Sequence, residues 1–535
     1  MEFLERKQNL LVVLCLVILL GLGLRIYSGL QKSYFFHDGI FTLELINGPE
    51  WAKERTNENN YNRVISGRVF LDDMTMSEEE KFDYSFNKVL KYADVHPPFY
   101  YWVLHPFQAL IADGEVSWWP GLILNFLCYI ASSILIFKIV RFFVREKFFS
   151  LFPVAFFSCS PAMISSDMLL RMYSLFGMLS LAFIYVSFLF FIGRRSRVLI
   201  VSIFLSCTLG ALTHHYFIVL AFFVFLLLAI GYIANKRYSD LVDYIKILSV
   251  SALCYLITWH VVFEQVFSSK LSNTIFESFG KKSNFIEMLA MTNNYLFSGL
   301  LLQFLCFFVL AYLWAKKDGS KLYFYGYRGY LFASLFISAI SFYTIVFLTQ
   351  PFSILNGSYR YFYVPSVLMI CFLGVFLSKI LVGIQTSYIK KISISLLVFI
   401  FFAVNFDIGN VSYLYRDNAK EGDLLYDFKN DDYPVIIKLR DEWKSTIFDE
   451  SQKDWIIVNL MPYLHNKSKV YIINDKDLNE NKFSKILSEL DILENDDFYV
   501  ITSNQPKFLS ILEDVIGKAS SEKVIRYNKV LKYKL

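Results

Sequence analysis

Long apolar runs separated by short polar segments dominate this chain. The runs lie at 10–30, 120–137, 149–166, 173–192, 198–213, 216–234, 243–262, 293–314, 329–348, 361–379 and 391–407. Each is roughly twenty residues long, which is enough to cross a hydrocarbon layer of about 30 Å. The pattern predicts a polytopic α-helical membrane protein with about eleven spans.

A shorter apolar segment leaves the span count open. Residues 99–112 form an apolar stretch that also carries His105 and Gln108. About 13 apolar residues suit an interfacial or re-entrant helix better than a full crossing. We expect an interfacial helix. Crossings in this region would instead raise the count to twelve or thirteen.

Positive charge predicts the orientation of the spans. The net charge is +5, and Lys and Arg cluster after each pair of runs. Short cytoplasmic loops retain such residues. The N-terminus is therefore expected inside, with the first run a retained signal anchor. Residues 31–98 form a large first extracytoplasmic loop, and the C-terminus lies outside the cytoplasmic membrane of a bacterium.

The character of the chain changes near residue 408. Short β-rich runs at 435–437, 455–458, 470–473 and 498–501 alternate with helical patterns at 483–493 and 506–516. This alternation predicts an extracytoplasmic α/β domain over 408–535 after a membrane domain over 1–407. The C-terminal domain contains no Gly-rich phosphate loop, so we assign it no nucleotide site. We also expect no nucleic-acid partner. We expect the C-terminal domain to serve an acceptor substrate.

The composition agrees with a membrane protein and gives no metal-ligand spacing. Hydrophobic residues make up 56% of the chain and charged residues 19%, and the mean hydropathy is +0.44. All seven cysteines lie in or beside apolar runs, where small packing residues are common. No metal ligand is predicted. A cofactor is not required, although a divalent metal ion is left open.

Polar residues that share the predicted outer side are the candidates for chemistry. They are Asp38, Glu44, His96, Arg171, Tyr173, His214, His215, Arg360 and Tyr361. Ionisable groups at helix ends beside lipid are costly unless they line a cavity or pair. Arginine binds phosphate oxygens through its planar fork, and a carboxylate can accept a proton from an attacking hydroxyl. The set suits displacement at a lipid-linked phosphate.

Five motifs then carry a family resemblance. They are HDGIFTL at 37–43, HPPFYY at 96–101, RMYSL at 171–175, THHYF at 213–217 and RYF at 360–362. In this order and spacing they resemble the C-type glycosyltransferase superfamily, in particular bacterial relatives of protein O-mannosyltransferases and of the lipid A aminoarabinose transferase. The resemblance covers roughly residues 10–380.

The resemblance implies a function and a role for each residue. A sugar would pass from a polyprenyl-phosphate donor to a hydroxyl on a glycan, lipid or protein, with inversion, as in a hexosyl- or pentosyltransferase. Asp38 would be the catalytic base, and Arg171, Arg360 and Tyr361 would bind the donor phosphate. The residues expected to contact substrate are His96, Tyr173, His214, His215 and Glu44.

Two departures from the family pattern keep alternatives open. Gly39 and Leu169 occupy positions where the relatives usually have acidic residues, and the nearest acid to Arg171 is Asp167. A second acidic role, in metal or acceptor binding, is therefore open. Arg171 could instead pair with Asp167, four residues before it, as local helix structure. A transporter or flippase of lipid-linked sugars, and an inactive relative that acts as an assembly partner, are the alternatives.

Overall fold

Two compact units make up the chain. The computed structural model describes residues 7–47, 60–263, 327–349, 358–383, 422–439 and 462–535, apart from gaps of one or two residues, with isolated positions in 290–313 and at 460. The first unit comprises Met1–Lys32, Val95–Tyr100 and Gly121–Arg416. The second comprises Ser33–Asp94, Tyr101–Pro120 and Asp417–Leu535.

The first unit holds the long apolar helices. Seven helices among the described residues are long and apolar enough to cross a membrane, or eight if one bent pair is a single span. The seven are Lys7–Leu30, Trp119–Val140, Tyr173–Phe191, Tyr216–Ala234, Tyr238–Thr258, Tyr327–Thr349 and Tyr363–Gly383, and the bent pair is Phe152–Cys159 with Pro161–Asp167. Helix Arg197–Ala211, at the predicted run 198–213, is apolar but shorter than a candidate span. The predicted run at 391–407 lies outside the described residues, and 293–314 is described only at isolated positions. The predicted polytopic helical membrane fold is confirmed.

The third predicted run is a broken helix. The helical segments Phe148–Cys159 and Pro161–Asp167 meet at 55°. Ser160 lies between them with an extended backbone, at φ −66° and ψ 119°. A residue before proline is disfavoured in the helical region because the proline ring clashes with it, so Pro161 forces the break. The break leaves a short helix that ends at Asp167, four residues before Arg171.

Residues 99–111 form a single helix of the expected length. Phe99–Ile111 has 13 residues and contains Pro106. At 1.5 Å per residue its length is about 20 Å, well short of a hydrocarbon layer. The segment does not qualify as a candidate span.

The second unit is built on a six-stranded sheet. Its strands are β1 (Val64–Ile65), β2 (Val435–Lys438), β3 (Val470–Ile473), β4 (Asp497–Ser503), β5 (Ser521–Ile525) and β6 (Asn528–Lys534). Their order is β1-β3-β2-β4-β6-β5. The central β3, β2 and β4 are parallel, and the remaining pairings are antiparallel. The predicted C-terminal α/β region is confirmed, while 455–458 lies outside the described residues.

One face of this sheet carries the apolar core of the second unit. Helices Glu480–Glu489 and Pro506–Val515 follow β3 and β4. Their buried residues Phe483 and Phe508 pack with Phe498 and Val500 of β4 in one cluster. The unit also contains helices Asn87–Ala93 and Leu424–Asn430. Helix Glu480–Glu489 connects β3 to β4, as expected for strands that run parallel in one sheet.

The first strand of the sheet comes from the first loop. Val64 pairs with Tyr471 and Ile65 with Val470 in antiparallel register. The Asn62 N–H also donates to the Ile472 carbonyl at 2.8 Å. Strands of one sheet lie side by side at about 4.8 Å. The first loop and the C-terminal region therefore contribute strands to one sheet, while their side of the membrane stays a prediction.

Candidate functional site

The turn that carries Arg171 is fixed by the side chain of Asn125. Its amide nitrogen donates to the carbonyls of Asp167 at 2.8 Å and Leu169 at 2.6 Å. Asn125 and Asp167 are fully buried. Buried carbonyls without a partner are costly, so this double contact stabilises an irregular turn inside a helical bundle.

Asp167 binds Arg25 rather than Arg171. Arg25 Nε donates to Asp167 Oδ2 at 2.7 Å, and both side chains are fully buried. The Arg25 guanidinium also lies 3.6 Å from the ring centroid of Tyr129. The local alternative, in which Asp167 pairs with Arg171 four residues later, is therefore not what the structure shows.

Two hydroxyl groups complete the contacts of Asp167. Ser174 Oγ donates to Asp167 Oδ1 at 2.5 Å, and Tyr363 Oη donates to the same atom at 3.0 Å. A Cβ on Gly177 would lie 2.6 Å from the Tyr363 ring. Gly177 thus allows the helices that begin at Tyr173 and Tyr363 to approach closely.

Arg171 contacts the HPPFYY motif. Its Nη2 lies 3.4 Å from His96 Nδ1, and only 5% of Arg171 is exposed. The nearby Tyr100 phenol has its pKa raised by burial, and the charge of Arg171 offsets part of this rise. The cation is therefore held among the residues of this motif.

The THHYF motif is a tight turn that meets both of these motifs. The Phe99 N–H donates to the Leu212 carbonyl at 2.9 Å, which ties the start of helix Phe99–Ile111 to the turn. The ring centroids of His96 and His214 lie 5.4 Å apart in an edge-on arrangement. The Tyr216 N–H donates to His214 Nδ1 at 3.2 Å. That nitrogen accepts, so a neutral His214 carries its proton on Nε2.

The two adjacent histidines have different neighbours. His214 stacks on Phe176 at 5.1 Å between centroids. His215 Nδ1 instead lies 2.9 Å from Tyr255 Oη. His214 therefore belongs to the cluster with His96, whereas His215 contacts helix Tyr238–Thr258.

The last motif completes a continuous path of contacts. Tyr173 lies 6.2 Å from His214 and 5.8 Å from Tyr361 between ring centroids. Arg360 lies 4.7 Å from the Tyr361 ring centroid, and its Nη2 donates to Tyr361 Oη at 3.3 Å. Contacts run in sequence through the members of this arginine–aromatic cluster, which are Arg171, His96, His214, Tyr173, Tyr361 and Arg360.

Asp38 and Glu44 lie in the second unit, on helix His37–Asn47. Asp38 is in the first turn, where the helix dipole favours a negative charge, and it follows the first helical residue instead of capping the helix. Thr42 Oγ1 donates to the Asp38 carbonyl at 2.8 Å. Asp38 is 9% exposed and Glu44 is 1% exposed. Six residues of helix place the two carboxylates about 120° apart, so they face different directions.

Sequence reasoning did not single out Arg25, Asn125, Phe176 or Tyr363. The available signal was polarity inside an apolar run, because Arg25 and Asn125 each interrupt one. Such residues pair or face a cavity. Among the residues that the structure describes, no group of three or more His, Cys, Asp and Glu could hold a metal ion.

Solved structures of membrane enzymes share this fold. No protein-family model and no curated protein sequence matches the chain. ArnT from Cupriavidus metallidurans in the apo state superposes with a TM-score of 0.51 at 10% identity, over 99% of this chain and 98% of its own. ArnT bound to undecaprenyl phosphate gives 0.50 at 9% identity, over 98% of each chain. ArnT is the lipid A aminoarabinose transferase, so the predicted resemblance is confirmed at the level of the fold.

Proposed function

We propose that this protein is a membrane glycosyltransferase that moves a sugar from a polyprenyl-phosphate donor to a hydroxyl acceptor outside the cytoplasm. The main observation that supports this proposal is the arginine–aromatic cluster. It brings together four of the five motifs in one unit, with a guanidinium at each end. The ArnT fold, known with undecaprenyl phosphate bound, supports the same donor class.

The donor phosphate would bind at the arginine–aromatic cluster. Arg171 and Arg360 supply charge that does not titrate away, and Tyr361 supplies a hydroxyl beside Arg360. His96, Tyr173 and His214 line the cluster and contact substrate in this proposal, as does His215 from the adjacent turn. Aromatic rings suit the apolar faces of a sugar and a lipid chain.

Asp38 is the proposed catalytic base, and Glu44 contacts substrate. Asp38 accepts the proton of the acceptor hydroxyl as its oxygen forms a bond to the anomeric carbon. The bond from that carbon to the phosphate oxygen breaks, and the polyprenyl phosphate leaves with the electron pair. A single displacement of this kind inverts the anomeric centre. The arginines stabilise the negative charge that develops on the leaving phosphate.

The finer assignments belong to the same proposal. The transferred sugar is a hexose or pentose, and the acceptor is a glycan, lipid or protein. Residues 1–407 form the transferase domain in the bacterial cytoplasmic membrane, and residues 408–535 form a domain on its outer side. The recurrence of basic clusters after alternate runs supports this orientation.

A transfer assay with two aspartate variants tests the proposal. Purified protein is given a panel of polyprenyl-phosphate sugars with an acceptor extract. Asp38→Asn keeps the shape of the side chain and should lower the rate by about 10²–10⁴. Asp83→Asn is the matched control, because Asp83 is an exposed residue of the same loop whose carboxylate accepts hydrogen bonds from the backbone and side chain of Ser85.

One outcome would refute the role of Asp38, and another would refute the transferase function. Wild-type rates in Asp38→Asn would assign the base elsewhere. Absence of transfer by wild type, combined with movement of the lipid-linked sugar across a vesicle membrane, would favour the flippase alternative.

A further inference from the structure

The helix that carries Asp38 is tied to the C-terminal region just before it begins. The Phe35 N–H donates to Tyr463 Oη at 3.3 Å. Lys429 Nζ donates to the Ser33 carbonyl at 3.1 Å. The same ammonium lies 4.7 Å from the centroid of the Tyr463 ring. Two side chains from the C-terminal region thus hold the backbone at positions 33 and 35.

The other end of this helix is held through the loop. The amide of Asn47, its last residue, donates to the Met74 carbonyl at 2.5 Å. Met74 follows the 3₁₀ helix Gly67–Phe70, and both Phe70 and Met74 are fully buried. The 3₁₀ helix is fixed in turn at its first residue, because the Gly67 N–H donates to the Lys467 carbonyl at 2.9 Å.

Gly67 contacts the C-terminal region too closely for any side chain. A Cβ at this position would lie 1.7 Å from the Leu464 carbonyl oxygen and 3.0 Å from that of Lys467. Both atoms belong to backbone, which cannot swing aside as a flexible side chain would. Glycine is therefore required here by space. The strand β1 next to it, Val64–Ile65, pairs with β3 immediately after this backbone.

Segment 463–467 therefore contacts the loop on both sides of helix His37–Asn47. We propose that this segment, together with Lys429, is a clamp that positions Asp38 for proton transfer. Tyr463, Lys429 and Gly67 are its positioning residues. The inference rests on the proposed function, since it gives the C-terminal region a role in placing the proposed base.

The clamp predicts a specific kinetic signature. A displacement of about 1 Å in a reacting group can cost about 10²-fold in rate. Loosening the clamp should lower kcat by about ten- to a hundredfold and leave donor KM within about twofold, because the proposed phosphate ligands lie in the first unit. Because the clamp positions the proposed base, loosening it should also change the pH profile of kcat. A general loss of folded protein would instead lower the active fraction and leave that profile unchanged.

Matched substitutions test the clamp. Tyr463→Phe removes only the hydroxyl that accepts from Phe35, and Tyr426→Phe is its control at an exposed tyrosine. Lys429→Met removes the donor to Ser33, and Lys429→Arg should restore most of the rate because it keeps a cationic donor. Gly67→Ala introduces the clash with Leu464. Gly23→Ala is its control, because outside its own stretch of helix no atom lies within 4 Å of a Cβ at position 23.

Hydrogen exchange over residues 33–47 gives a readout that needs no transferase activity. We expect faster exchange in Tyr463→Phe, Lys429→Met and Gly67→Ala than in the controls, with kcat reduced as above. If wild type transfers sugar and all three variants match their controls in kcat and exchange, the clamp is refuted. If wild type transfers nothing, the proposed function fails while exchange still decides whether the clamp exists. Should Gly67→Ala not fold, the tyrosine and lysine variants decide alone, because they leave the backbone packing unchanged.

Discussion

Arg25 and Asp167 form a buried ion pair across 142 positions of sequence, with Nε donating to Oδ2 at 2.7 Å. Asp167 also accepts from Ser174 and Tyr363. The pair therefore joins the end of the first membrane helix to the turn that carries Arg171. The Asp167 carboxylate thus binds Arg25, Ser174 and Tyr363, whereas Arg171 contacts His96.

Loss of one partner from this pair should destabilise the membrane unit strongly. Breaking a buried ion pair typically costs about 3–5 kcal/mol, because the remaining charge stays buried. Arg25→Met and Asp167→Asn should each lower the thermal unfolding midpoint in detergent, and the double variant should be less unstable than the sum of the two. The control is Asp243→Asn, whose pair with Lys246 is exposed and contributes little. Additive effects in the double variant would contradict the coupling.

Replacing Arg171 with alanine should weaken donor binding more than replacing it with lysine. A hydrogen bond to a charged group contributes about 1.5–3 kcal/mol, so Arg171→Ala should weaken donor binding by about ten- to a hundredfold. Arg171→Lys should lose less, since it keeps the charge without the planar fork. The measurement is the affinity for undecaprenyl phosphate, with the exposed Arg194→Ala as control. Equal affinity of Arg171→Ala and wild type would remove Arg171 from the phosphate site.

Acidification should lower the folding stability of the second unit because His105 takes up a proton. Its Nδ1 lies 3.1 Å from the Ile46 carbonyl, which accepts, so Nδ1 carries a proton. Burial lowers the pKa of His105 below its ordinary 6.5. Between these two pKa values the unfolded chain binds more protons than the folded one, so stability rises with pH there.

The loss of stability caused by His105 therefore appears below pH 6.5 and is absent well above it. One proton contributes at most about 1.4 kcal/mol per pH unit. Between pH 8 and pH 5 the thermal unfolding midpoint should fall less in His105→Asn than in wild type. His260→Asn, at an exposed histidine, should follow wild type. An unchanged acid slope in His105→Asn would exclude this residue as its source.

The first loop and the C-terminal region should be labelled together. Ser77 and Ser468 are exposed residues of the second unit, and that unit is joined by one sheet. Ser77→Cys and Ser468→Cys should both react with a membrane-impermeant maleimide on intact cells, with wild type as the background for the seven native cysteines. Labelling of one site alone would contradict the shared sheet, and protection of both would reverse the proposed orientation.

The sequence by itself determined the membrane helices and the grouping of most motifs. Span positions follow from local hydropathy, since a helix in lipid satisfies its own backbone hydrogen bonds whatever its neighbours are. The predicted runs at 173–192 and 216–234 accordingly coincide with helices Tyr173–Phe191 and Tyr216–Ala234. The motifs of Arg171, His96, His214 and Arg360 meet in one cluster, while the chemical roles assigned to them stay predictions.

Only the tertiary structure decided which polar partners meet. Sequence offered Arg171 as a partner four residues from Asp167, but the bundle brings Arg25 to it and directs the adjacent His214 and His215 to different neighbours. The two-residue strand Val64–Ile65 has no periodicity to detect. It forms because β3 presents an unpaired edge to the loop, and backbone hydrogen bonds are open to any sequence that reaches them. Pairings of this kind depend on distance in space, which local pattern does not encode.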